Sequence, residues 1–396
     1  MNHKLRAGMP EAMRLTQAGQ LQEATAAIQR MLGNKAAAPA VNEPIKRNEN
    51  APIEGVFRVI NNEKWQSGDA SQAKPTSSRP QAVSNRMPEG VPGGQFITGS
   101  YTNQAGTRAY KLYVPSGYRG QPLPLIVMLH GGTQSPDDFA AGTCMNQLAE
   151  EESCFVLYPA QAQSANVSKC WNWFKESDQR RDQGEPSIIA GVTRQIMRAY
   201  SVDPQRVYVA GLSAGGAMAV TMGTTYPELY AATGIHSGLP YAAAHDMSSA
   251  FAAMRQGNAA NAGTRRGETC RVQVGARVIP TIVFHGDRDT TVNPCNGEQV
   301  ITQLRAVPAN GGAATQTQSD PGTTVHRGQV VSGHAYTRTI YRDGSGQPTA
   351  EQWLVHGAGH AWSGGSSSGS FTDPKGPNAT KEMMRFFLEH PTPTCQ

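Results

Sequence analysis

The sequence predicts an α/β domain, a mostly parallel central sheet with helices on both faces, and three observations carry that prediction. Continuous apolar runs such as "LPLIVMLHGG", "CFVLYPAQ" and "TIVFHGDRD" suit strands buried on both sides. Segments with helical spacing lie between them, among them "PDDFAAGTCMNQLAEEE" and "PSIIAGVTRQIMRAY". The two kinds alternate along the chain, which is the order that crossover connections turn into a parallel sheet.

Taken from the start, residues 1–34 read as a helical extension, with apolar positions Met13, Leu15, Leu21, Ala24, Ile28, Met31 and Leu32 and a break near "AGQ". Residues 35–93 are rich in Pro, Asn, Ser and Gln and read as a linker or loosely ordered wrap. The short apolar island "GVFRVI" within them is expected to pack on the main domain, residues 94–396. That domain opens with "AGTRAYKLYVPSGY", whose alternation marks an early strand. The run "LPLIVMLHGG", a helix, "CFVLYPAQ", a helix with Pro186 in its first turn, and "VDPQRVYVAG" follow. After the helix "AGGAMAVTMGTTY" come strands "ELYAATGIHSG" and "IPTIVFHGDRD", helix "NGEQVITQLRAV", strands "AYTRTIYRDG" and "EQWLVHGAGH", and helix "TKEMMRFFLEH". Residues 241–268 read either as a lid over a cleft or as a surface excursion.

Composition narrows the function classes. A formal net charge of +5 over 396 residues, with no basic run interleaved with aromatics, argues against a nucleic-acid partner. No apolar stretch reaches the roughly 18 residues of a membrane-crossing helix. The first residues lack the apolar core of a secretory signal, so the chain as written predicts a cytoplasmic protein. Six cysteines (Cys144, Cys154, Cys170, Cys270, Cys295 and Cys395) fit either three bridges or reduced thiols, and none forms C-x-x-C, which disfavours a structural zinc site. Neither G-x-G-x-x-G nor G-x-x-x-x-G-K-[ST] follows a strand, so no nucleotide cradle is expected.

The chemistry centres on "VYVAGLSAGGAMAV", residues 207–220. In a chain with 42 glycines the pattern G-x-S-x-G is weak by itself, and it recurs around Ser367 in "GSSSG". Only Ser213 stands between a buried strand and a helix that begins with small residues, as a nucleophile on a sharp elbow requires. A serine hydroxyl needs a histidine to take its proton and a carboxylate to hold the histidine's tautomer. "FHGDRDTT" offers Asp287 and Asp289; "VHGAGH" offers His356 and His360. Asp289 lies deeper in its loop, and His360 falls beyond its strand after Gly357 and Gly359, so these two are preferred. An oxyanion site needs two backbone N–H groups. Ala214 supplies one, and the loop in "LHGGTQ" supplies the other from Gly132 or Thr133.

These segments resemble the poly(3-hydroxybutyrate) depolymerase-type esterases of the α/β-hydrolase fold, a family that also includes feruloyl and acetylxylan esterases. The resemblance runs from about Gly94 to His390 and rests on "LHGGTQSPDDFAAGTCMNQLAEEE", "KCWNWF", "VDPQRVYVAGLSAGGAMA", "VFHGDRDTTV" and "GAGHAWSGG". It implies Ser213 as nucleophile, Asp289 as acid, His360 as base and the N–H groups of Gly132 and Ala214 as oxyanion donors. It also puts "CWNWF" near the catalytic loops, making Trp171 and Trp173 candidate substrate contacts beside their bland reading as core. Many relatives carry Cys where this chain has Gly132, which alters that wall. The implied activity is cofactor-free hydrolysis of a polyester or small ester, foremost short-chain 3-hydroxyalkanoate polyester or its oligomers. Feruloyl, acetylxylan and synthetic-polyester esters are the alternatives, with a non-catalytic binding protein on the same fold a remote one. Many family members are extracellular, the alternative to a cytoplasmic location.

Overall fold

The computed structural model describes residues 93–257, 277–305 and 322–393. The expected helical extension (1–34) and nearly all of the expected linker (35–93) lie outside the described residues. Ten strands form one sheet: β1 (Gln95–Asn103), β2 (Gly106–Val114), β3 (Leu123–Leu129), β4 (Phe155–Pro159), β5 (Val202–Leu212), β6 (Ala232–His236), β7 (Thr281–Gly286), β8 (Thr323–Gln329), β9 (Ala335–Arg342) and β10 (Pro348–Val355). Their spatial order is β1-β2-β4-β3-β5-β6-β7-β10-β9-β8. The six strands from β4 to β10 in that order run parallel, and an antiparallel pair flanks them on each side. Two short strands, β11 (Trp362–Ser363) and β12 (Thr372–Asp373), pair separately.

Every residue of β3, β4, β6 and β7 is buried, because helices cover both faces of the sheet. Alternate side chains enter different cores. Leu125, Val127 and Leu129 of β3 join Val207, Val209 and Val283 on one face, together with helices α3 (Gly184–Ala199), α4 (Ala214–Thr225) and α6 (Cys295–Arg305). Ile126 and Met128 join Tyr208, Ala210 and Phe284 on the other, with α1 (Pro136–Thr143), α2 (Met145–Glu151) and α7 (Ala379–Glu389). Fully burying each such aliphatic or aromatic side chain is worth about 1.5–3 kcal/mol.

Local signals fix the helix ends. Ser135 caps α1 by accepting from the Asp138 N–H at 3.2 Å, with Pro136 in the first turn. Asn378 caps α7 through the Lys381 N–H at 2.9 Å. The stretch expected to form one helix over 136–152 is two, α1 and α2, because Cys144 takes the left-handed conformation (φ 55°) between them. β1 and β8 went unrecognised in the sequence. Both are edge strands with no continuous apolar run, and six of the seven β8 residues are exposed. Of the 241–268 excursion, α5 (Met247–Gln256) is described, with a capping box at Asp246 and Ser249. It is fastened beside α6, where the Asn293 N–H donates to Met254 O (2.7 Å) and Asn296 Nδ2 to Ala253 O (3.0 Å). No helix among the described residues is long and apolar enough to cross a membrane.

α4 lies so close to the sheet that a methyl group cannot fit at Gly215. A Cβ there would stand 2.0 Å from Leu129 O and 2.6 Å from His130 O. Both obstacles are backbone, so neither can swing away. Gly215→Ala is expected to destabilise the fold by about 3 kcal/mol or more in chemical denaturation, whereas Gly359→Ala, with open space around the new Cβ, leaves it unchanged.

Candidate active site

Parallel strands end on one rim of the sheet, and their register brings those ends abreast. Leu129 pairs with Gly211, Leu212 with His236, His236 with Phe284 and Val355 with Gly286. The loops after β3, β5, β6, β7 and β10 therefore meet over a short span. Ligands of open α/β sheets bind at such carboxyl ends.

Ser213 stands between β5 and α4 with φ 58° and ψ −119°, a conformation that costs a non-glycine residue on the order of 1–3 kcal/mol. Its N–H donates to His236 O at 2.9 Å, and its carbonyl accepts from the Ala217 N–H at 2.9 Å. The second G-x-S-x-G serine, Ser367, is exposed on the loop between β11 and β12, with neither strand nor helix to shape an elbow.

His360 Nδ1 lies 2.7 Å from Asp289 Oδ2. The Asp289 side chain is inaccessible to solvent and that of His360 is 12 % exposed. The Oδ1 of Asp289 accepts from the N–H groups of Thr291 (2.9 Å) and Val292 (2.8 Å). Burial alone would raise this carboxyl group's pKa, but hydrogen bonds from His285, His360 and the Val292 N–H outweigh burial and hold it far below the usual carboxylate range. Asp289 is thus an ionised acceptor that fixes the Nδ1–H tautomer of His360 and leaves the Nε2 lone pair for a proton.

The two rejected candidates pair with each other. His356 Nδ1 meets Asp287 Oδ2 at 3.0 Å, Asp287 Oδ1 accepts the Gly357 N–H at 2.7 Å, and His356 Nε2 meets Thr337 Oγ1 at 2.9 Å. This second pair is 39 % and 32 % exposed, so solvent screens it. The loops after β7 and β10 are also joined by backbone bonds from the Asp287 N–H to Val355 O and from the Arg288 N–H to Ala358 O, both 3.0 Å.

His236, which sequence reasoning passed over, connects the serine loop to the histidine loop. Its carbonyl holds the Ser213 N–H, and its Nε2 accepts the Ser363 N–H at 2.9 Å, three residues beyond His360. Its ring stacks on Trp362 with centroids 5.1 Å apart. Burial, with His285 and His360 nearby, lowers its pKa to about 3, so it serves as an acceptor. The available signal was a histidine at the end of a buried strand, in "GIHSG".

In the loop after β3, backbone bonding separates the two candidate donors, Gly132 and Thr133. The Thr133 N–H donates to Ser168 O (2.6 Å) and the Gly131 N–H to Gln134 Oε1 (2.9 Å), while the Gly132 N–H has no acceptor among the described residues. The Ala214 N–H opens α4, where no preceding helical carbonyl can reach it. A Cβ at position 132 would lie 2.6 Å from Cys170 Sγ. Behind this loop, His130 Nδ1 donates to Gly131 O (2.7 Å) and Nε2 accepts from the Gln161 N–H (3.0 Å). Burial lowers the His130 pKa to about 4. Gln161 and Asn172 in turn bind the buried Glu185, which also meets Arg108 at 3.2 Å.

Of the two readings of Trp171 and Trp173, their burial favours core over substrate contact. Trp171 is fully buried and Trp173 is 6 % exposed, and both belong to a hydrophobic core. Trp171 Nε1 donates to His130 O at 3.1 Å, so it braces the loop after β3 from behind. Cys144, Cys154, Cys170 and Cys295 are free thiols, and Cys270 and Cys395 lie outside the described residues. Among the described residues no cluster of three or more His, Cys, Asp or Glu side chains could hold a metal ion.

Comparison with known proteins places the chain among esterases. Residues 108–324 match the family model described as esterase PHB depolymerase. The poly(3-hydroxyalkanoate) depolymerase C of Paucimonas lemoignei is 33 % identical over 263 residues, 65 % of this chain and 59 % of that protein. A probable acetylxylan esterase A of Aspergillus fumigatus is 28 % identical over 221 residues, 54 % of this chain and 58 % of that protein. The chain thus spans a little under three fifths of the length of these two relatives. The acetyl xylan esterase structure from Aspergillus awamori superposes with a TM-score of 0.53 at 20 % identity, covering 74 % of this chain and 99 % of that one. This likeness places the sheet and its helices in the α/β-hydrolase fold.

Burial of His130 sets a pH dependence of stability. The unfolded chain binds a proton near pH 6.5, but the folded site does so only near pH 4, so this group's contribution is intact above 6.5 and is lost as pH falls toward 4. Glu185 and Asp178, raised mainly by burial, act in the opposite sense. The difference between wild type and His130→Gln isolates the histidine. The stability gap between the two is expected to change by about 3 kcal/mol between pH 7 and pH 4 in urea unfolding; a gap independent of pH would contradict the assignment.

Proposed function

Because the chain belongs to the esterase PHB depolymerase family, we propose that it is a serine esterase that cleaves carboxylic esters through an acyl-enzyme formed on Ser213. The observation that carries this reading is the short Asp289–His360 hydrogen bond on a loop whose Ser363 N–H is tied through His236 to the Ser213 backbone. Residues 94–396 make up the catalytic domain in this reading.

In the first step the Ser213 hydroxyl attacks the ester carbonyl carbon while His360 Nε2 takes its proton. The carbonyl oxygen becomes an oxyanion held by the N–H groups of Gly132 and Ala214, which have no competing acceptor and need not reorient. Collapse of the tetrahedral intermediate breaks the bond to the alcohol, and His360 returns the proton to that leaving oxygen. Water, deprotonated by the same Nε2, then attacks the acyl carbon, and a second collapse frees the acid and restores Ser213. Asp289 stays ionised throughout and stabilises the imidazolium form of His360.

For the substrate we favour short-chain 3-hydroxyalkanoate polyesters or their oligomers. The support is the family match together with the Paucimonas lemoignei relative, whose name specifies a poly(3-hydroxyalkanoate) depolymerase. Comparing kcat/KM on a 3-hydroxybutyrate trimer, methyl ferulate and acetylated xylan tests this choice, and a preference for either of the last two would reverse it.

Ser213→Ala is expected to lower kcat by about 10⁵- to 10⁶-fold and to abolish labelling by a fluorophosphonate probe; unchanged hydrolysis would refute the mechanism. Asp289→Asn should cost about 10⁴-fold in kcat. Asp287→Asn, which removes only the exposed pair, should stay within about fivefold of wild type. Equal losses at the two aspartates would show that the acid has been misassigned.

A further inference from the structure

His285 lies at the end of β7, in the "FHGDRD" stretch, and its side chain is wholly inaccessible to solvent. The turn after it brings the Asp289 N–H back to Gly286 O (3.2 Å) and folds the carboxylate over the imidazole. His285 Nε2 lies 2.9 Å from Val292 O and 3.4 Å from Asp289 Oδ2. Both neighbours are acceptors, so Nε2 carries the hydrogen, donating mainly to the carbonyl and secondarily to the carboxylate.

The other ring nitrogen has no partner. Among the described residues, Nδ1 of His285 is buried without a hydrogen bond, pressed against Gly297 of α6, where an added Cβ would stand 2.9 Å away. An apolar side chain of similar volume would fill this site without burying an unpaired lone pair. The imidazole's distinctive asset is its Nε2–H. That hydrogen and the Nδ1–H of His360 meet the same oxygen of Asp289, while two backbone N–H groups occupy the other. With all four donors in place, the carboxylate cannot rotate away from His360.

We propose that His285 is a positioning residue for the triad carboxylate, the donor that fixes Asp289 Oδ2 at the angle His360 needs. This inference rests on the serine-esterase reading above. The rival explanation is a brace that merely holds the Val292 loop through the carbonyl bond.

Two variants separate the alternatives. His285→Leu keeps the volume and removes the donor, whereas His285→Gln places an amide N–H near the position of Nε2. His285→Leu is expected to lose about 10- to 100-fold in kcat with KM changed less than about twofold, the cost of a displaced catalytic group. The low-field proton resonance of the His360 Nδ1–H···Asp289 bond should shift or vanish with it. His285→Gln should recover most of kcat and the resonance. Equal rates in His285→Leu and wild type with an unmoved resonance would overturn the inference, as would identical losses in the Leu and Gln variants. If the Leu variant does not fold, His285→Asn, too short to reach Asp289, replaces it with the same expectations. Ser213→Ala is measured alongside. Hydrolysis that survives it would sink the esterase reading, whereas Ser213-dependent hydrolysis indifferent to position 285 sinks only the role of His285.

Discussion

Close approach of backbone to backbone at the turn between β5 and α4 sets the terms for the whole rim. Gly211 and Gly215 face one another across that turn, and a Cβ on Gly211 would lie 2.3 Å from the Gly215 carbonyl carbon. Only with side chains absent at both positions can α4 start directly above the sheet and leave Ser213 proud of it. The strained Ser213 conformation is offset by its two backbone bonds and by burial of nearly the whole of α4, an apolar helix packed on most sides. The parallel register then delivers the other loops to the same place without further adjustment.

Those loops are joined to one another chiefly by polar contacts. Asp287–His356 and Asp289–His360 are two carboxylate–imidazole rungs between the same pair of loops, one wet and one dry. Their chemistry is alike and their surroundings differ. In the dry rung water cannot compete for Asp289, and the low-dielectric setting strengthens each donor bond. The loop after β3 is held in a similar way, with Trp171, Ser168 and Gln161 each holding a group of residues 130–133.

The parts of this architecture legible in the sequence were those written in contiguous residues. Buried strands announced themselves as apolar runs, the strand–turn–helix at Ser213 as small residues around it, and the Asp289–His360 pair as polar residues just past strand ends. Depth in the loop was the ground for preferring Asp289 over Asp287 and His360 over His356; the structure pairs Asp289 with His360 and Asp287 with His356. What escaped detection depends on contacts between distant segments. β1 and β8 have no core face to imprint a pattern, and Cys144 interrupts a helix through a single backbone angle. Composition left Trp171 and Trp173 open between core and cleft, because it cannot reveal that His130 O and the hydrophobic core claim them. His236 and His285 escaped for the same reason: their partners lie on other loops.

The thiol of Cys170 occupies the space where any side chain at position 132 would go. The two sites therefore share one volume and cannot drift independently. Enlarging residue 132 requires the side chain at 170 to shift or shrink, whereas glycine leaves room for the thiol. In this chain the two positions form one packing unit, and a side chain added at 132 alone would press on the Cys170 thiol and distort the wall beside the Gly132 N–H.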